Sequence, residues 1–147
     1  MRPIVGLFAF LLRLAVAYPL LAQTAPIKIF GLHELSGTGA TSGTNFNNGV
    51  KLAVKEINAS GGILGRKIEY TANDTQSQPA SAKALAVQAI DDGAYVGLGT
   101  DFSGSDIVVM AATRRHEIPN FTGGQGKRIA QQGHPYTLRP PCTKAQH

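Results

Sequence analysis

The sequence predicts an α/β fold, a parallel sheet flanked by helices on both faces. Three observations predict it: short apolar, β-branched runs alternate with segments of helical period, the connections are long enough for crossovers, and polar glycine-rich loops follow the strands. At 147 residues, 43% hydrophobic and 16% charged, the chain fits one globular domain with a real core and leaves no room for a second. With 17 Gly, 8 Pro and no Trp, it reads as many tight connections between short elements rather than a long bundle.

Met1 to Ala22 carries Arg2, the apolar run Ile4 to Leu12, Arg13, and a second apolar stretch from Leu14 to Ala22 broken by Pro19. This arrangement resembles a secretory signal peptide, with cleavage expected after Ala22, although Ala15-Val16-Ala17 also has the A-x-A form. A retained anchor is the competing reading, because the stretch approaches the ~20 residues that span hydrocarbon. Arg13 near its middle opposes that by ~3 kcal/mol. A buried helix of the domain is the third reading.

After Pro26, residues 27–32 are apolar and β-branched, a short buried strand, and a Ser-, Gly- and Thr-rich loop follows. From Asn45 the period changes: Val50, Ala53, Val54 and Ile57 stand at i, i+3, i+4 and i+7 and predict one inward helical face. Gly61-Gly62 stops this helix, since glycine accepts the left-handed conformation beyond a helix end. Residues 68–72 alternate apolar with polar and predict the second strand. Pro79 opens the next helix, as proline does at a first helical position, with Ala82, Leu85, Ala86, Ala89 and Ile90 inward and Asp91-Asp92-Gly93 at its end. Residues 95–98 are a third strand, 105–115 a third helix carrying Ile107, Val108 and Ala111, and 118–121 and 136–139 the last two strands.

The predicted order is therefore β-α-β-α-β-α-β-β. Right-handed crossovers make such a sheet parallel, and ligands bind outside the carboxyl ends of its strands where the strand order reverses. The loops that reach that end are 33–44, 99–105 and 122–126.

The net charge of +5 invites a nucleic-acid reading, but the basic residues are scattered, with Arg114-Arg115 and Lys127-Arg128 the densest groups and no aromatic interleaving, so no nucleic-acid partner is expected. One cysteine, Cys142, makes neither an internal disulfide nor a four-ligand zinc site. His33, His116, His134 and His147 lack metal-ligand spacing and read as surface residues, so no metal and no cofactor is expected. A phosphate loop fails because Arg128 follows Gly126-Lys127, and a nucleophile elbow fails around Ser103, where Asp101 and Ser105 replace the two glycines. The sequence offers no positive support for an enzyme.

The loop Gly99 to Ser105 runs from a buried strand into a helix, whose open N–H groups welcome an anion such as a carboxylate. Ser103 either adds a hydroxyl donor to that anion or, like Ser105, caps the helix. Gly123-Gly124-Gln125-Gly126 either relaxes a turn or lets a small ligand reach the backbone. A free amino acid needs acceptors for its ammonium, for which Asp101 and the Gly124 carbonyl are candidates, and donors for its carboxylate, for which the Ser103 loop is.

From about Ile27 to Arg139 the chain resembles the first lobe of type I periplasmic binding proteins of the leucine/isoleucine/valine-binding family. The residues that carry the resemblance are Leu35-Ser36-Gly37, Gly49 to Val54, the run Asn58 to Gly65 with Arg66-Lys67, Asp74, Gly99 with Ser103 four residues on, Ile118-Pro119, and Pro135 to Arg139. The resemblance implies a ligand gripped between two lobes. Ser103 then meets the ligand carboxylate and the Gly124 carbonyl its ammonium, with Asp101, Ser36, Ser42 and Gly126 completing the candidate set. Gly126 stands where a Thr is common, and Ser42 where an aromatic often covers the ligand, which turns expectation from leucine itself toward another small amino acid, an amide or a related carboxylate. The resemblance also implies periplasmic localisation after removal of residues 1–22 and a membrane permease of an ABC transporter as partner of the full-length form. Residues 27–147 are then an incomplete first lobe, family members being more than twice as long. A ligand-sensing regulatory lobe of the same fold is the alternative, and a flavodoxin-like enzyme a more distant one.

Overall fold

The computed structural model describes residues 25–139, so the predicted signal peptide and the tail with Cys142 and His147 lie outside the described residues. The elements run β1 (Ile27–His33), a 3-10 turn (Gly37–Gly39), α1 (Ala40–Ala59), β2 (Ile68–Asp74), α2 (Pro79–Asp91), β3 (Val96–Leu98), α3 (Ser103–Arg115), β4 (Asn120–Phe121), α4 (Lys127–Gln131) and β5 (Thr137–Leu138). All five strands pair parallel in the order β2-β1-β3-β4-β5. The order reverses between β1 and β3, and that is where the carboxyl-end crevice opens.

The main core lies under α2 and α3. Phe30 and Leu32 of β1 meet Ala82 and Ala86 of α2 and Val109 and Ala112 of α3, with Leu85, Ala89 and Ile90 packed around them. The small α2 residues let the helix sit close to the sheet, and Gly97 leaves room for the Phe30 ring, which a side chain there would meet at 2.6 Å. Pro79 stands at the start of α2 and Gly93 past its end at φ 81°, as the sequence requires. Asn58 closes α1 onto β2: its amide donates to the Ile68 carbonyl at 2.8 Å and accepts from the Ile68 N–H at 2.7 Å.

Several expectations need correction. The first helix begins at Ala40, not Asn45, so Ser42 belongs to its first turn rather than to a loop. Its inward positions are Gly43 and Asn47, with Val50, Val54 and Asn58 half-buried, whereas Ala53 and Ile57 of the predicted face are exposed. The cause is beneath the helix, where Gly43 crosses the Glu34 backbone too closely for any side chain. In α3 the buried apolar residues are Val109, Met110 and Ala112, beside the buried polar Ser105, Asp106 and Thr113; Ile107 and Val108 are half-buried and Ala111 is exposed. The short helix α4 supplies the crossover that parallel β4 and β5 need and that the predicted order lacked.

Two of the predicted surface histidines are buried. His134 is held by the Met110 carbonyl at 2.9 Å and by Tyr136 N and Thr137 Oγ1. His33, 1% exposed, lies 2.6 Å from the Tyr70 hydroxyl, which donates to Asn47 Oδ1 at 3.0 Å. Burial pulls the His33 imidazole down to about 4, with Asp101 opposing and Lys51 assisting, and pushes the Tyr70 phenol up to about 12. The imidazole is therefore neutral and donates from Nε2 to Tyr70. Gly31 creates the space for this pair, since a side chain there would overlap Tyr70.

Candidate functional site

The loops after β1, β3 and β4 converge at the carboxyl end of the sheet. The β1 loop is anchored by Asp74, whose Oδ1 accepts from the N–H groups of Leu35, Ser36 and Gln76 at 3.0, 3.1 and 2.8 Å. Despite some burial, the Ser36 hydroxyl and those N–H groups hold the Asp74 carboxyl below the usual carboxylate range. The β1 and β3 loops join where Asp101 N donates to Glu34 Oε2 at 3.2 Å. Glu34 is fully buried, and burial raises its carboxyl above the ordinary value, hydrogen bonding from Asp101 opposing.

Between these loops and the first turns of α1 lies an open cleft of about 590 Å³, lined by Ser42, Asn45, Phe46, Asp101, Ser103, Gly123, Gln125 and Gly126. Four predicted site residues, Ser42, Asp101, Ser103 and Gly126, meet here. Gly124 is buried just beneath, its N–H donating to Thr122 Oγ1 at 3.0 Å. Ser36 stands apart: its carbonyl accepts from Ser77 Oγ at 2.8 Å, tying it to the turn before α2. Phe46 and Asn45 were not anticipated, because a helix predicted to start at Asn45 put no side chain of α1 over the crevice; Gln125 sits in the 122–126 loop expected there, where only the glycines and not its side chain were singled out. A smaller cavity of about 240 Å³ lies between α2 and the edge strand β2, away from these loops.

The polar groups divide into donors and acceptors. Helix α3 has Phe102 as its N-cap, with no side-chain cap bond, so the N–H groups of Ser103, Gly104 and Ser105 find no acceptor among the described residues. Neither serine caps the helix. Ser103 Oγ instead accepts the Gly126 N–H at 3.0 Å, which leaves its own proton to donate. A side chain at Gly126 would meet Ser103 Cβ and Oγ at 2.9 Å, so glycine is what lets the two loops close on each other. On the other side, Asp101 Oδ2 accepts from Ser42 Oγ at 2.6 Å, and Oδ1 lies over Gly123, where a side chain would overlap it. The cleft thus pairs a helix N-terminus and a hydroxyl donor, suited to a carboxylate, with a carboxylate acceptor suited to an ammonium.

Residues 26–145 match the family described as periplasmic binding protein. The chain is 29% identical over 134 residues to the leucine-specific-binding protein of Salmonella typhimurium, covering 90% of this chain and 36% of that protein. It is 33% identical over 129 residues to Leu/Ile/Val-binding protein homolog 7 of Brucella suis biovar 1, covering 84% and 32%. The chain therefore spans about a third of the length of these relatives. Among solved structures, the substrate binding protein of a branched-chain amino acid transporter from Streptococcus pneumoniae, in complex with isoleucine, superposes with a TM-score of 0.74 at 30% identity, over 78% of this chain and 33% of that one. A solute binding protein of an ABC transporter from R. palustris, in complex with 4-hydroxybenzoate, superposes with a TM-score of 0.69 at 26% identity, over 78% and 31%.

Proposed function

Because the chain belongs to the periplasmic binding protein family, we propose that it supplies the ligand-gripping first lobe of a solute-binding component of an ABC transporter for amino acids of the branched-chain type. The observation that carries the reading is the Ser103 hydroxyl, its acceptor side occupied by Gly126 and its proton free, beside the open N-terminus of α3 and across the cleft from Asp101. The ligand carboxylate sits on Ser103 and the N–H groups of α3, and the ammonium on Asp101 and the Gly124 carbonyl. In a full-length form a second lobe closes over the cleft, excludes water and strengthens these contacts; the chain's cover of only 36% of the leucine-specific-binding protein is consistent with such a form. The lobe performs no chemical step; it captures ligand and presents it to a membrane permease. Residues 1–22 act as a signal peptide and place the lobe in the periplasm, which terminal sequencing of the protein released by osmotic shock tests.

Relatives bound to isoleucine and to 4-hydroxybenzoate favour two ligand readings, an amino acid and an aromatic acid, with the carboxylate in common. The acidic Asp101 favours the amino acid. Titrations with L-leucine, L-isoleucine and 4-hydroxybenzoate, followed by the backbone amide shifts of Ser103 to Ser105, test it. Saturable shifts with the amino acids support the reading; shifts with the benzoate alone move the ligand to the aromatic acids, and none with any of the three overturns it.

A further inference from the structure

We propose that Asp106 is a positioning residue of this cleft, its buried carboxylate locking the β3 and β4 loops together and supplying the negative charge against which a ligand ammonium is held at Gly124. The ammonium half of this proposal rests on the amino-acid reading of the site.

Asp106 lies in the first turn of α3 with no exposed surface. Its Oδ1 accepts from Thr100 N and from Thr100 Oγ1, both at 3.1 Å. The Thr100 carbonyl in turn accepts from Thr122 Oγ1 at 3.2 Å and Gly123 N at 3.0 Å, and Thr122 Oγ1 accepts from Gly124 N at 3.0 Å. A single chain of hydrogen bonds thus runs from Asp106 through the loop before α3 into the loop that carries Gly124 and Gly126. Glycine is required at 124, because any side chain there would overlap Asp106 Oδ2.

That same Oδ2 is buried without a hydrogen-bond partner. The groups around it are Glu34 from the end of β1, Ile129 from α4, and the Thr100 and Thr122 hydroxyls; Glu34 is the charged group that bears on it, and it repels. Among the described residues no cation pairs with Asp106. Burial pushes its carboxyl up to about 6, with the Thr122 and Thr100 hydroxyls opposing. An asparagine would serve the Thr100 donors equally well without a buried charge, so the loop lock alone does not require a carboxylate. A ligand ammonium at the Gly124 carbonyl is the counter-charge that does. Asp106 acts through Gly124, without touching the ligand.

The test compares wild type with Asp106→Asn, using L-leucine as probe at about pH 7.5 and about pH 5. If bound ammonium lowers the Asp106 pKa by about one unit, wild-type affinity falls up to ~10-fold between the two. The variant should show no such fall and bind at about pH 7.5 as weakly as wild type does at about pH 5. Wild-type affinity in the variant at about pH 7.5 would overturn the counter-charge. Backbone amide shifts of the unliganded protein decide the positioning half separately: Thr100, Gly124 and Gly126 should titrate together near pH 6 in wild type and not in the variant. Thr100 titrating while Gly124 and Gly126 stay still refutes it. Leucine without effect on wild type removes the amino-acid reading and the counter-charge together, and leaves the unliganded titration to decide the lock.

Discussion

Asp106→Asn should raise stability near neutral pH and uncover an acid sensitivity that wild type conceals. Burial lifts the Asp106 carboxyl from 3.8 to about 6, so its stabilising contribution is fully present below pH 3.8 and is lost as pH rises through 6, a change of about 3 kcal/mol. His33 has the opposite sign. Its imidazole falls from 6.5 to about 4, so its contribution is present above pH 6.5 and is lost as pH falls through 4, again about 3 kcal/mol. The two nearly cancel across one window. Asparagine keeps the acceptor for Thr100 but places an unpartnered N–H where Oδ2 was, costing about 1 kcal/mol. The variant should therefore gain about 2 kcal/mol near pH 7 and lose about 3 kcal/mol on acidification to pH 4. Urea unfolding followed by far-ultraviolet circular dichroism at a series of pH values reads this directly, provided the denaturant slope is unchanged. A variant less stable than wild type at pH 7, or one whose pH profile runs parallel to wild type, refutes the assignment of opposite signs to these two buried groups.

The other predictions concern single contacts. Ser103→Ala should weaken L-leucine binding by about tenfold, the worth of one hydrogen bond to a charged group, and cost about 1 kcal/mol of stability through the lost acceptor of the Gly126 N–H; equal affinity by calorimetry removes the hydroxyl from the site. Asn58→Ala loses both bonds to Ile68 and should cost about 2 kcal/mol in urea unfolding. Gly62→Ala should destabilise by at least about 2 kcal/mol, because φ is +85° and the added carbon overlaps the Arg66 carbonyl. Gly49→Ala, inside α1 with nothing within 4 Å, should instead stabilise by about 0.5 to 1 kcal/mol; a loss there would mean that α1 packs differently.

Legibility in the sequence followed local physics. Pro79, the small residues from Ala82 to Ala89 and Gly93 specify α2 by cap, period and stop signal, all within one segment. Gly61 and Gly62, at φ 107° and 85°, announce the end of α1 the same way. The start of α1 was not legible: Gly39 to Thr44 has poor helix propensity, and those residues turn helical because Gly43 must pass directly over Glu34. That misreading hid Phe46 and Asn45, which line the cleft only because the helix begins a turn earlier. Helix α4 was missed because five residues are too few to show a period.

The sequence by itself determined the order along the chain of the five strands and the first three helices, the loops that form the cleft and the serine and aspartate that line it, because strand alternation, helical period and turn residues act over a few neighbours. The tertiary structure alone decided burial. His33 reads as a surface residue and nothing near Glu34 or Asp106 in the sequence marks them as buried; only the convergence of three loops and α1 on the end of β1 removes them from water. That convergence makes one imidazole neutral, raises two carboxyls and leaves one oxygen of Asp106 without a partner. Desolvation depends on what arrives from distant parts of the chain, and no local pattern carries that information.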